Sequence, residues 1–163
     1  MKTKYSFLLL FSILLLTSAP TFSQTGGKVP PFQMTLHNGK EFKAQNLPLG
    51  KNIIIVYFSP ECEECHAFTS EMLKRIGDFQ SASIAMITYM PLEKVKPYVA
   101  ENKLYMYSNV YVGTEGNSLF VAKYYKITQF PFVALYDKNG NLVNKYTSKE
   151  VNVDDLINWL KSQ

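Results

Sequence analysis

With 163 residues, 47% of them hydrophobic and 18% charged, the chain is long enough for one domain with a sizeable buried core. Its formal charge of +4 is small and dispersed, which excludes the concentrated basic patch that nucleic-acid binding requires. No internal repeat or low-complexity block is present, so repeat arrays are excluded as well.

In chain order, the first predicted segment is a leader. Lys2 and Lys4 precede the apolar run FLLLFSILLL over residues 7–16, and small or polar residues follow through Ser23. This is the layout of a secretory signal, with residues 1–23 removed after Ser23. The run is too short for a comfortable membrane span, which takes ~20 apolar residues, so no stable membrane insertion is expected after cleavage. Without Lys2 and Lys4 the basic side chains number 15 against 13 acidic ones. Residues 24–31, QTGGKVPP, read as a flexible lead-in, and residues 32–163 as the folded domain.

The domain opens with a hairpin. Phe32, Met34 and Leu36 alternate with polar residues, the Asn38-Gly39 pair turns the chain, and Phe42 lies on the return. NIIIVYFS over 52–59 is the near-continuous run of a strand buried on both faces. Helical spacing from Cys62 to about Gly77 puts Cys65, Phe68, Met72, Leu73 and Ile76 on one side. A second buried strand spans 82–89. Pro91 opens a helix running to about Asn102, with Leu92, Val95, Tyr98 and Val99 inward. A short strand over 109–112, a helix over 117–125 and a strand over 132–137 follow. The turn Lys138-Asn139-Gly140-Asn141 leads into LVNKY as a second hairpin. Last, Asn152 caps a helix whose first turn carries Asp154 and Asp155. Strands alternating with helices predict an α/β fold, a sheet with helices on both faces. The many aromatics, 11 Tyr and 11 Phe, belong largely to its core.

The chemistry concentrates in YFSPECEECHAF, residues 57–68, which holds both cysteines of the chain. Export would put Cys62 and Cys65 in an oxidising compartment. A bridge between residues three apart closes almost no loop, so stability is a poor reason for it. A C-x-x-C placed between a strand and a helix sets Cys62 where unpaired backbone N–H groups favour an anion. A thiolate there attacks disulfides, and Cys65, one turn on, can resolve the product. Read as C-x-x-C-H, the same stretch is the attachment site of a c-type haem with His66 as axial ligand.

These residues carry a family resemblance. IIIVYFSPECEEC, followed by YYKITQFPFVALYDKNGNLV, resembles the thioredoxin fold, and within it the exported TlpA/ResA-like redoxins. The resemblance covers nearly all of residues 32–161 and includes the leading hairpin and an αβ insertion before Phe130. It implies a central mixed sheet flanked by helices and thiol–disulfide exchange with partner proteins. It also implies a cis-proline at Pro131 beside the dithiol, with the Phe130 backbone pairing with an incoming substrate strand. No cofactor is implied, since the dithiol itself carries two electrons. Electrons would come from a membrane thiol donor to a periplasmic or otherwise exported monomer.

The chain departs from that family at the acids that usually serve the resolving thiol. Val56 and Phe68 occupy their two usual places. Glu61, Glu63 and Glu64 instead make an acidic collar, which disfavours a thiolate, while His66 acts in the opposite sense when protonated. A less stable thiolate makes a more reducing couple, so a reductive role is expected. Three other readings stand beside it: haem attachment, a copper site on Cys62, Cys65 and His66, and a non-catalytic binding module. Copper is disfavoured because no histidine follows His66, and no metal is assigned.

Overall fold

The computed structural model of the chain describes residues 27–163. The expected leader, residues 1–23, lies outside them. Seven strands form one mixed sheet: β1 (Gln33–Leu36), β2 (Glu41–Lys43), β3 (Asn52–Tyr57), β4 (Ala82–Thr88), β5 (Val110–Thr114), β6 (Phe132–Tyr136) and β7 (Leu142–Thr147). Four helices accompany them: α1 (Glu63–Lys74), α2 (Leu92–Glu101), α3 (Phe120–Tyr125) and α4 (Val153–Lys161). The strand order is β2-β1-β5-β4-β3-β6-β7. The three central strands run parallel, and β6, β7 and the β1–β2 hairpin are antiparallel to their neighbours.

All of β3 and all of β4 are buried, as their unbroken apolar runs demand. One face of the sheet packs against α1, α2 and α4 through Phe68, Met72, Val95, Val99, Leu156 and Ile157. The other face carries α3, through Val121, and the hairpin residues Phe32, Met34 and Phe42. Each large apolar side chain so buried contributes about 1.5–3 kcal/mol.

Several elements differ from the sequence reading. The first helix ends at Lys74, and a short tight turn, Ile76–Phe79, completes the connection. There Arg75 bonds Asp78 at 3.1 Å and Asp154 of α4 at 2.9 Å, which ties the helix end to the last helix. Helix α2 runs straight through Pro97. The segment expected to be helical from 117 begins its helix only at Phe120, after Leu119 turns into the left-handed region at φ 49°. In the segment expected as a flexible lead-in, the described residues are tied down. Val29 N–H donates to Gly140 O at 3.1 Å, and Leu142 N–H donates to Gly27 O at 2.9 Å.

Candidate active site

Strand β3 delivers the chain to the site. Phe58 N–H still bonds Ile87 O at 3.0 Å, after which Cys62 N–H closes a turn onto Ser59 O at 3.1 Å. Cys62 does not sit within the first turn, as the spacing predicted, but stands in front of α1 as its N-cap, with extended backbone. Its sulfur accepts from Cys65 N–H at 3.2 Å, the place an Asp or Ser oxygen fills in other helices. The Cys65 thiol also faces it, with the two unbonded sulfurs 2.6 Å apart. Cys62 is half-buried and Cys65 fully buried. Burial pushes the Cys65 thiol far up. The hydrogen bond with Cys62 and the charges of Cys62 and Glu64 add to this, and only a backbone contact at Ser59 opposes it. Cys65 therefore holds its proton more tightly than an exposed thiol does.

The collar is not uniform. Glu61 forms an ion pair with Lys94 of α2 at 2.7 Å, which offsets its charge. Glu63 and Glu64 lie exposed in the first turn of α1, where the helix terminus favours acids. Glu64 alone reaches a sulfur, with Oε2 at 3.6 Å from Cys62 Sγ. The ring of His66 bonds Pro60 O through Nε2 at 2.8 Å and lies against Tyr98, centroids 4.9 Å apart.

The Phe130–Pro131 peptide bond is cis. The antiparallel β3–β6 ladder pairs Tyr57 with Phe132, so Pro131 and Phe130 lie just beyond it, at the end of β3 where the dithiol begins. Pro131 lines one cavity, of about 400 Å³, together with Glu64 and Phe68 of α1. Its carbonyl accepts from Ser148 N–H at 2.6 Å. Among the described residues, the backbone N–H and C=O of Phe130 have no hydrogen-bond partner. The Phe130 ring rests between Tyr57 and Tyr89, at centroid distances of 5.9 and 6.0 Å.

Two features escaped the sequence reading. Glu115 is buried, where its Oε1 accepts from the Tyr57 hydroxyl at 2.6 Å and its Oε2 from Val121 N–H at 2.7 Å. Nothing in the sequence around Glu115 marks it, because its partner lies 58 residues away. Tyr98 was expected inward, but its hydroxyl proves to reach Cys65 O at 3.3 Å. Helical spacing gives the direction of such a side chain and not its polar partner.

A family model, described as the AhpC/TSA family, matches residues 25–154. The chain belongs to the AhpC/TSA family. No curated protein sequence matches it. Solved structures share its fold. The thioredoxin domain of a thiol-disulfide oxidoreductase from Bacteroides vulgatus is 22% identical, with a TM-score of 0.70 over 84% of this chain and 95% of that one. A secreted disulfide oxidoreductase of Mycobacterium tuberculosis is 18% identical, at a TM-score of 0.66 over 82% and 96%. The peroxidoxin BcpB of the same organism is 12% identical, at 0.71 over 84% and 96%. These likenesses show that the chain has the thioredoxin fold, with which the TlpA/ResA-like resemblance agrees.

Proposed function

We propose that the protein acts outside the cytoplasm, exchanging disulfides with partner proteins through Cys62 and Cys65 and running in the reductive direction. The Cys62 thiolate attacks a partner disulfide, that bond breaks, and the first partner sulfur leaves as a thiolate that takes up a proton. Cys65 then loses its proton and attacks Cys62 Sγ. The second partner sulfur departs, and the Cys62–Cys65 disulfide holds the two electrons' worth of oxidation. A membrane thiol donor would restore the dithiol. No further cofactor is needed for this cycle.

The observation that carries the reading is the sulfur geometry, with Cys62 capping α1 and Cys65 2.6 Å behind it. The unpartnered Phe130 backbone next to Pro131 supports a strand-like grip on the partner. Glu61, Glu63, Glu64 and His66 are assigned a tuning role, with Glu64 foremost because it alone approaches a sulfur. A cleaved leader over residues 1–23 and a monomeric exported domain complete the proposal. Among the described residues no helix is long and apolar enough to cross a membrane.

The haem reading fits less well. It needs two sulfurs free to bond a porphyrin edge and an imidazole free for iron. Cys65 is fully buried, and His66 is engaged by Pro60 O and the Tyr98 ring.

Insulin reduction tests the proposal. Wild type should reduce insulin, Cys62→Ser should fall to background, and Cys65→Ser should accumulate mixed disulfides on Cys62 in the native host. Equal rates for wild type and Cys62→Ser would sink it and favour a binding module.

A further inference from the structure

Among the described residues, the Cys65 thiol bonds Cys62 and no carboxylate. Val56 and Phe68 are both buried. Two hydroxyls occupy the space between α1 and α2 instead. Thr69, fully buried, lies one helical turn beyond Cys65, and its Oγ1 is 2.7 Å from the hydroxyl of Tyr98. That phenol O–H donates to Cys65 O at 3.3 Å. With Tyr98 as the donor to the carbonyl, Thr69 becomes the donor to Tyr98, and both hydroxyls are satisfied. The ring is fixed as well, packed against Phe58 and His66 with both centroids at 4.9 Å. A buried hydroxyl is costly unless paired, and here each hydroxyl meets that demand through the other and the Cys65 carbonyl.

We infer that Thr69 and Tyr98 are the positioning residues of the resolving step in the dithiol exchange proposed above. They anchor the first turn of α1 at Cys65, which keeps its sulfur turned onto Cys62. The balance is simple. The Cys65 S–H proton passes to water, a Cys65–Cys62 bond forms, the Cys62–partner bond breaks, and the partner leaves as a thiolate that is protonated in turn. Burial raises the Tyr98 phenol, the hydrogen bond from Thr69 opposes this, and negative charge on Cys65 and Cys62 adds to the rise. The phenol is thus a hydrogen-bond donor throughout and never the base.

Other titratable groups stand near the same sulfur. Those acting on it are Cys62 and Glu64; on the surrounding elements stand His66 on α1, bonded to Pro60 O, and Glu61 before it, paired with Lys94 of α2. Lys149, ahead of α4, lines the groove that holds Glu64. The Phe130–Pro131 turn brings none.

The test isolates the second step. Cys62 is loaded with thionitrobenzoate as a mixed disulfide, and its expulsion by Cys65 is timed across pH in wild type, Tyr98→Phe and Thr69→Val. Tyr98→Phe keeps the ring and removes the oxygen. It should slow expulsion by up to roughly tenfold, the effect of one lost hydrogen bond at the turn that aims Cys65. Thr69→Val should do the same to a smaller extent. Alkylation of Cys62, measured in a Cys65→Ser background, should not respond to either change. Superimposable pH profiles would overturn the inference, as would equal slowing of expulsion and of Cys62 alkylation, the mark of a merely structural role. Failure of wild type to expel the aromatic thiol at all would sink the exchange reaction itself.

Discussion

At the scale of single residues, the two sulfurs differ because their surroundings differ. Cys62 takes hydrogen bonds at a helix mouth, while Cys65 is sealed beneath it. The neighbouring Glu64 carboxylate works against negative charge on Cys62. The couple should therefore be reducing, at about −250 mV or below, in the range of thioredoxin rather than near the −120 mV or so of a strong exported oxidant. Glu64→Gln removes the opposing charge and should raise the potential by on the order of 10–20 mV, an exposed charge being worth little. Equilibration against glutathione buffers measures both, and a wild-type value near the strong oxidants would end the reductive assignment. The two cysteines and their order could be read from spacing, because strand, turn and helix onset are local signals, whereas the Phe130–Pro131 turn came only from the family resemblance. Thr69 and Glu115 could be read from neither. A threonine in a helix and a glutamate after a strand look like surface until the fold brings Tyr98 and Tyr57 to them across 29 and 58 residues.

At the scale of elements, the strands were the most legible part. β3 and β4 announce themselves by runs buried on both faces, and both hairpins by Asn-Gly turns whose glycines adopt φ +85° and +73°. The limits of helices were less so. Pro97 sits inside α2 because the apolar face of Val95, Tyr98 and Val99 outweighs one missing N–H. The αL residue Leu119, which delays α3, has no sequence signature. One contact in the sheet is unusually tight. Gly113 in β5 faces the β1 backbone so closely that an added Cβ would come within 2.5 Å of Thr35 O. Backbone cannot yield as a side-chain tip can, so Gly113→Ala should cost about 1–3 kcal/mol. The loss should appear as a lower urea midpoint with an unchanged slope. An unaltered midpoint would mean that the hairpin docks on β5 more loosely than described.

At the scale of the whole molecule, the unequal loading of the sheet stands out. Three helices and the dithiol share one face, while α3, the first hairpin and a set of buried tyrosines hold the other. Tyr57, Tyr125 and Tyr136 there, and Tyr98 on the dithiol face, are all raised, chiefly by burial, with Tyr136 pushed up to about 12. Below about pH 10 these phenols are neutral in the folded and the unfolded chain alike, and their contribution to stability is fully present. Above it the unfolded chain ionises first, so stability falls until the folded values are reached. Thermal unfolding followed from about pH 8 to about pH 11 should show the midpoint dropping steeply at the upper end. Tyr57→Phe should soften the drop, since burial and the hydrogen bond to Glu115 both raise Tyr57. A midpoint indifferent to alkali would contradict the burial of these rings.

The clasp between Gly27–Val29 and the Gly140 bend has a practical meaning for anything attached upstream. That bend follows the Tyr136 end of β6, which pairs with Ile53 at the start of β3, whereas the sulfurs follow the other end of β3. The polypeptide therefore enters the domain at the pole remote from its reactive sulfurs. A tether, bead or fusion partner joined ahead of Gly27 would leave the dithiol facing outward and unobstructed.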